Sequence, residues 1–487
     1  MKKVILCAAA LMFGTMAFAQ VSGAPTASAV PALPGAASGA NTGESIQNGN
    51  DNKVRVRQAG TSQSVYTNQN DGSGTGGNLA RVMQTGLVNP GSGIENLAEV
   101  LQSGSANQST TIQEGDYNNS VTRQGQNDDS SSGNRARIRQ GVADQAEYNN
   151  AAIEQDGDNN LASTQQTFDN SDAWTVQVGD GNKSMIVQNA GPNGTDGHLA
   201  QNEQVGNNNE SSIDQSGAGA RNTARTFQEG DDNKAKQLQT TDAVAGGTGN
   251  TAIIAQGNVF TGFTFASTYF DLQGVDDIDS GSQSLGSIGG IAFQTQSGHE
   301  NNADIRQFGV DSPEGNYAEQ NQSGSGNEAF TVQNLYGNPA GAANYARQDQ
   351  SGTNSQAGIS QRGFNHKAYQ RQSGDDNSAL TTQQGDSNLV NTYQDGDGNR
   401  GTTAQRGQDN GILLVQRGGH SYSVTQNLPN GSPVGLPNGG NQADILQLGP
   451  NGDFGTDGVD CVFDDPMDPT MDYSVPGFNL GDVCPDC

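Results

Sequence analysis

The chain has 487 residues, of which 68 are glycine, and its formal net charge is −29. Only 31% of the residues are hydrophobic and 15% are charged; average globular domains have about 45–50% and about 25%, so a conventional multidomain enzyme is disfavoured. The excess of acids argues against binding to nucleic acid or anionic lipid, because both need a basic face. Two classes of protein remain compatible with this composition: a disordered polar chain and a repeat architecture with a polar interior.

Residues 1–19 have the pattern of a secretory signal peptide. Lys2 and Lys3 precede an apolar stretch, and Ala17-Phe18-Ala19 is a small-x-small cleavage site. No later stretch approaches the roughly 18–20 continuous apolar residues of a transmembrane helix. We therefore expect an exported chain without a transmembrane segment.

The rest of the chain divides by composition. Residues 20–50 are rich in Ala, Gly, Ser and Pro and predict a flexible leader. An internal repeat with Gly/Ser/Asp/Asn-rich insertions then covers residues 51–258 and 294–449, separated by an interruption at 259–293 that is richer in aromatics. Residues 450–487 form an acidic tail that contains cysteine.

The repeat has a period of eleven residues and is most regular over residues 350–416. It reads Q-x-G-x-x-N followed by five further residues. The glutamines are Gln350, Gln361, Gln372, Gln383, Gln394, Gln405 and Gln416. The glycines, which we expect at turns, are Gly352, Gly363, Gly374, Gly385, Gly396 and Gly407. Four units carry the asparagine, at Asn377, Asn388, Asn399 and Asn410, and His366 replaces it in another.

Each unit predicts one strand and one turn. The residues between Asn and the next Gln alternate with period two, so Asn377, Ala379, Thr381 and Gln383 share one face. If coils stack about 4.8 Å apart, each inward amide meets an identical amide and satisfies its hydrogen bonds. We predict an all-β fold: a β-solenoid or β-arch stack with coils of about 22 residues, two strand-turn units each, and loop insertions.

At these residues the chain resembles the curlin family, the subunits of curli-type extracellular amyloid fibres. Residues 372–383 (QSGDDNSALTTQ) carry the family's Q-x-G-x-x-N pattern with alternating inward residues. The resemblance implies self-association or association with other curlin-type subunits. It also implies export through the periplasm and an outer-membrane curli-type secretion pore to a fimbria-like position outside the cell or on its surface.

Three cysteines follow the signal peptide, and all lie in the tail: Cys461, Cys484 and Cys487. The CxxC spacing of the last two is that of a redox or zinc site, but a zinc site needs about four ligands and the nearest histidine lies far upstream. We interpret the three as a structural disulfide from Cys461 to one of the terminal pair, which leaves one thiol for a link to a partner.

The sequence has no GxSxG, P-loop or HExxH motif, and none of its four histidines lies at ligand spacing from a cysteine or a second histidine, so we predict no enzyme, cofactor or metal site. Its Asp/Gly/Asn turns are interpreted as solvated acids, with weak calcium binding as the alternative. The leading hypothesis is a structural subunit of an extracellular curli-like amyloid fibre or biofilm matrix. The alternative is a secreted β-solenoid that does not polymerise and acts as an adhesin or ligand-binding surface.

Overall fold

A computed structural model describes residues 25–449 apart from 33, 35, 72–75, 87–92, 127–129, 142–145, 192–196, 242–247, 258–286, 310–314, 335–342 and 428–438. All regular structure in this part of the chain is β-strand. The predicted signal peptide, the tail with its three cysteines and most of the 259–293 interruption lie outside the described residues.

The strands form two long parallel sheets. The first sheet contains β1 (Thr42–Asn48), β4 (Ser64–Asn70), β7 (Leu97–Ser103), β9 (Asn119–Gln124), β12 (Asn150–Asp156), β14 (Asp172–Val178), β16 (Leu199–Val205), β18 (Thr223–Asp231), β20 (Thr251–Gln256), β23 (Asn302–Gln307), β25 (Glu328–Gln333), β27 (Gln356–Phe364), β29 (Ser378–Asp386), β31 (Arg400–Gln408) and β33 (Ser421–Gln426). The second contains β2 (Lys53–Gln58), β5 (Leu79–Thr85), β8 (Gln108–Asp116), β10 (Arg135–Gln140), β13 (Leu161–Thr167), β15 (Lys183–Asn189), β17 (Glu210–Ser216), β19 (Lys234–Thr240), β22 (Ile291–His299), β24 (Tyr317–Ser325), β26 (Tyr345–Thr353), β28 (Lys367–Ser373), β30 (Leu389–Asp395), β32 (Gly411–Arg417) and β34 (Gln442–Leu448). Four two-residue strands lie at turns: β3 (Gly60–Thr61), β6 (Gly93–Ile94), β11 (Ala146–Glu147) and β21 (Ser287–Ile288).

The chain alternates between the two sheets, so that each coil contributes one strand to each. Strands of successive coils pair in parallel, and Gln361, Gln383 and Gln405 are partners in one register. Where no insertion intervenes, the partner lies 22 residues further along the chain, which is two units of the repeat. The predicted all-β solenoid with two strands per coil is confirmed.

The core is a thin layer between the sheets, filled by small residues opposite larger ones. Ala173 and Ala200 of the first sheet pack with Ile186 and Ile213 of the second. All four side chains are at most 1% exposed. Because the inward positions alternate in size, the sheets interlock while each strand buries only a few apolar groups. This explains how a chain so poor in hydrophobic residues forms a continuous core.

The strands extend beyond two boundaries expected from composition. β1 begins at Thr42, inside the segment assigned to the leader, and β22 begins at Ile291, inside the 259–293 interruption. Residues 47–52 (QNGNDN) carry the full Q-x-G-x-x-N unit, and the first coil, β1 with β2, therefore starts before residue 51. In β22 the inward positions follow the repeat from Ala292, and Phe293 lies on the other side of the sheet although only 1% of it is exposed.

Part of the leader lies across the outer face of the first sheet. The backbone N–H of Ala27 donates to Oδ1 of Asn119 (2.7 Å), and that of Val30 donates to Oγ of Ser64 (2.7 Å). Ala27 packs with Val121 and Ala152, both fully buried. A segment expected to be flexible is therefore anchored at these residues, because outward positions of β9 and β12 offer it an apolar surface.

Candidate functional site: the amide columns and the ends of the stack

Two columns of glutamine run along the solenoid between the sheets. In each, Nε2 of one glutamine donates to Oε1 of the glutamine in the next coil, over 2.8–3.1 Å in the first column and 2.8–3.0 Å in the second. The first glutamine column is Gln47, Gln69, Gln102, Gln124, Gln155, Gln177, Gln204, Gln228, Gln256, Gln307, Gln333, Gln361, Gln383, Gln405 and Gln426. The second glutamine column is Gln58, Gln84, Gln113, Gln140, Gln166, Gln188, Gln215, Gln239, Gln296, Gln322, Gln350, Gln372, Gln394, Gln416 and Gln447.

Gln383 shows how each buried amide is satisfied. Its Oε1 accepts from Gln361 (2.9 Å), and its Nε2 donates to Oε1 of Gln405 (3.1 Å). Nε2 also donates to the carbonyl oxygens of Lys367 and Asn388, at 3.0 and 2.8 Å. The residue is 1% exposed. An unpaired amide at such a position costs about 1–3 kcal/mol, so the column is stable only when the coils stack in register.

The structure places all seven glutamines singled out in the sequence in these columns, with successive ones in opposite columns. Sequence reasoning missed six members that lie outside residues 350–416. Insertions or shortened turns shift the spacing of five of them: Gln84, Gln140, Gln256, Gln426 and Gln447. Gln47 keeps the interval of eleven residues to Gln58 but falls in the segment assigned to the leader. Gln84 and Gln447 are each followed by x-Gly, a local signal that could have found them.

The asparagines form columns of a different kind. Oδ1 of Asn377 accepts both the backbone N–H (2.9 Å) and the side-chain N–H (3.0 Å) of Asn399. In the second sheet, Oδ1 of Asn388 accepts from the backbone of Asn410 (3.1 Å), and Nδ2 of Asn388 donates to the carbonyl oxygen of Gly407 (2.9 Å). The shorter asparagine side chain keeps its amide close to the turn, so these columns join turn to turn.

A third ladder was not expected from the sequence. Gln237, Gln294, Gln320, Gln348 and Gln370 occupy the central inward position of successive strands and bond through their amides at 2.9–3.0 Å. The other long strands hold Ile, Val or Thr there, except for Ser45 in β1, Asn202 in β16 and Leu414 in β32. Each of these glutamines precedes a member of the second column by two residues, so a Gln-x-Gln pair is the signal for an amide-filled coil.

The turns need two left-handed residues per unit. The six predicted turn glycines have φ between +83° and +125°. The residue before each Asn is also left-handed, as at Asp376 (φ 56°), Ser387 (φ 53°) and Asp409 (φ 53°). Asp and Asn tolerate this conformation better than most residues, which accounts for the acidic turns.

The two ends of the stack are chemically different. Every bond in the glutamine columns runs from the N-terminal coil to the C-terminal one, so Oε1 of Gln47 and Gln58 receives no donor from a described residue. At the other end, Nε2 of Gln447 has no acceptor among the described residues, and Gln426 donates only to the carbonyl oxygen of Gly411 (3.1 Å). One end therefore presents acceptors and the other donors.

Three histidines, His198, His366 and His420, take the place of asparagine in the asparagine columns. The first of them, His198, predicts a pH dependence of stability. Its Nδ1 accepts from the backbone of Asn222 (3.3 Å), and its Nε2 faces the carbonyl oxygen of Asn189 (3.3 Å), so it is held neutral. Burial lowers the pKa of His198 to about 4, against the opposing effect of backbone hydrogen bonds with Asn189 and Gly217. The unfolded chain therefore binds the proton first, and stability present above pH ~6.5 is lost as the pH falls toward 4.

Replacing His198 by asparagine is expected to remove this loss, which is roughly 3 kcal/mol from the pKa difference. Urea unfolding of the wild type and H198N at pH 7, 5.5 and 4 measures it. Burial and Glu229 raise the pKa of Glu203 to about 7, which gives the opposite trend in both proteins, so the comparison isolates His198. Parallel pH profiles would contradict the assignment.

Within the described ranges, no group of three His, Cys, Asp or Glu side chains could hold a metal ion. The same residues contain no helix that is long and apolar enough to cross a membrane.

These features define the chain as a parallel β-solenoid with amide ladders between its sheets. The family model of the curlin associated repeat matches residues 352–385, which span the turns from Gly352 to Gly385. The resemblance seen in the sequence is thereby confirmed for this segment. No curated protein matches the chain.

Proposed function

We propose that the protein is a structural, non-enzymatic subunit of an extracellular curli-like fibre that grows by end-to-end stacking of solenoids. The observation that carries this proposal is the complementarity of the two ends. Gln426 and Gln447 of one copy would donate to Gln47 and Gln58 of the next, continuing both glutamine columns across the junction. Open parallel edges of this kind are templates for further strands.

The apolar residues at the ends support the same proposal. At the N-terminal end, Val54 and Val56 are only partly buried against the core. At the C-terminal end, Ala443 and Ile445 are likewise partly buried. Stacking would cover both pairs and continue the core from one copy to the next, at roughly 25 cal/mol per Å² of apolar surface removed from water.

Incubation of the chain lacking residues 1–19, with and without preformed seeds, tests the proposal. We expect preformed seeds to accelerate growth, which thioflavin fluorescence measures. Fibre diffraction from the product should show a meridional reflection at ~4.7 Å. A stable β-rich monomer that ignores seeds would overturn it and favour the alternative, a secreted adhesin that does not polymerise. Secretion through a curli-type outer-membrane pore and a place in a biofilm matrix belong to the same proposal, supported by the signal-like first 19 residues and the repeat match.

We also propose that the acidic turns slow assembly, because their carboxylates repel one another. Oδ1 of Asp375 accepts the backbone N–H of Thr353, and Oδ1 of Asp397 accepts that of Asp375, both at 2.9 Å. Alanine would remove these bonds, whereas asparagine keeps them, as Asn207 does for Asp180 (3.0 Å). Neighbouring carboxylates repel by about 1 kcal/mol in water before salt screening.

D375N/D397N is therefore expected to shorten the assembly lag several-fold at low salt. The lag is measured by thioflavin fluorescence at matched concentration, with D375A/D397A as the variant that loses both charge and hydrogen bonds. An unchanged lag for D375N/D397N would count against a braking role for these turns.

A further inference from the structure

A cationic face lies on the outer surface of the second sheet, at the N-terminal end of the stack. The inward positions of β2 and β10 hold Val, Ala, Ile and Gln, so the intervening basic residues point outward. The face consists of Lys53, Arg55, Arg57, Arg81, Arg135, Arg137 and Arg139. It gathers these seven onto one surface of a chain with 23 basic residues and a net charge of −29.

The register brings these residues together although they are distant in sequence. Arg55 is the ladder partner of Arg81, which pairs with Thr110, which pairs with Arg137. Three ladder steps span about 14 Å. Within each strand, alternate residues such as Lys53, Arg55 and Arg57 lie on the same face about 7 Å apart. The result is a patch of seven basic residues on three strands, with β8, which carries Thr110 and Glu114 on this face, between Arg81 and the arginines of β10.

Little in the described structure neutralises this patch. Among the described residues, the patch has one ion pair, between Nη2 of Arg139 and Oε2 of Glu114 at 3.9 Å. No acceptor in the described part of the chain bonds to the buried Nε of Arg137 or to that of Arg139. Burial, and then repulsion from Arg139, lower the pKa of Arg137. The patch therefore has unmet capacity for carboxylates.

The complementary charge lies in the acidic tail. Residues 450–487 contain nine aspartates and no lysine or arginine: Asp453, Asp457, Asp460, Asp464, Asp465, Asp468, Asp472, Asp482 and Asp486. The tail follows β34, the last strand of the second sheet, whereas β2 is its first strand. When copies stack end to end, β34 of one copy lies one ladder step from β2 of the next. The tail therefore begins beside the cationic face of the neighbouring copy.

We propose that the acidic tail of each copy binds the cationic face of the next copy in the fibre. The proposal rests on the end-to-end stacking proposed above and adds the contact that selects and orients the incoming copy. The same face on the tail's own chain lies eleven to fourteen layers from β34, about 53–67 Å along the axis, so the neighbour's face is much the closer. Such a charge pair chiefly speeds association and fixes register.

Carbodiimide coupling tests the contact directly, because Lys53 supplies an amine and the tail supplies carboxylates. Fibres are grown from an equal mixture of unlabelled and ¹⁵N-labelled chains, coupled, digested and analysed by mass spectrometry. We expect crosslinks between Lys53 and tail aspartates that join labelled to unlabelled peptides. Crosslinks confined to one isotope, or none in well-formed fibres, would overturn tail docking while leaving the fibre intact. A chain that forms no fibres would overturn both proposals.

Charge reversal provides an independent test with a matched control. K53E/R55E/R57E is expected to slow seeded elongation roughly tenfold at low salt, because like charges oppose encounter. Restoring attraction by D453K/D457K/D460K/D464K in the same chain should recover most of the rate. The control R362E/R371E/R400E reverses three exposed arginines elsewhere on the solenoid, and circular dichroism checks the folding of each variant. Equal rates for the face and control variants, or no recovery by the reversed tail, would overturn the proposal.

Discussion

Replacing Gln383 by alanine is expected to lower the free energy of unfolding by roughly 3–5 kcal/mol, whereas the same change at Gln384 should cost less than about 0.5 kcal/mol. The two residues are adjacent and identical in type. Gln383 faces the interior and bonds to both neighbouring coils. Gln384 faces outward, is partly exposed and has no side-chain hydrogen bond within the described structure. The truncation at Gln383 leaves the amides of Gln361 and Gln405 each short of a partner in the interior.

Urea unfolding of the monomer compares Q383A with Q384A, and hydrogen exchange reports whether the loss is centred on β27, β29 and β31. Because repeats interact mainly with their neighbours, the loss of protection should spread from those coils outward. Equal destabilisation by the two variants would contradict the inward placement of the first glutamine column.

Gly385→Ala is the second substitution with a large expected effect, at roughly 2–6 kcal/mol. Gly385 has φ +118°, and a Cβ there would overlap the carbonyl oxygen of Gly407 in the next coil. Gly398 provides the control, because it is also left-handed (φ +72°) yet a Cβ there meets nothing within 4 Å. Gly398→Ala should therefore show only the conformational cost, about 1–2 kcal/mol.

Thermal and urea unfolding of G385A and G398A distinguish two contributions to the lost stability: the overlap with the next coil and the cost of the left-handed backbone conformation. The difference between them measures how tightly the turns of successive coils approach. If both variants lose the same stability, the turns do not stack as closely as the sheet register requires.

Much of the coil was predictable from the sequence, because a buried amide needs an identical partner at the stacking distance. The eleven-residue interval from Gln350 to Gln416 therefore indicated two strands per coil and an amide interior. Upstream, insertions change the spacing without disturbing the stack, and coils such as those of Gln84 and Gln140 were missed. The ladder through Gln320 was also missed, because glutamine occupies a position where small apolar residues were expected.

Other features depend on the folded arrangement. Which way each amide points along a column is set by the stack as a whole, so the donor and acceptor ends could not be read from composition. The cationic face was hidden by the large negative net charge, since only the register of β2, β5, β8 and β10 brings Arg55 and Arg137 onto one surface, three ladder steps apart. The anchoring of Ala27 on the first sheet likewise requires the outward surface formed by several strands.

Electron cryomicroscopy of the assembled fibre tests end-to-end stacking most directly. The fifteen coils of one described chain, at about 4.8 Å each, predict an axial repeat of about 72 Å per subunit. Strands should lie perpendicular to the axis, with the first glutamine column continuous across each junction from Gln426 to Gln47 and the second from Gln447 to Gln58. A fibre in which every chain occupies a single 4.8 Å layer, or in which solenoids pack side by side with their ends apart, would contradict it.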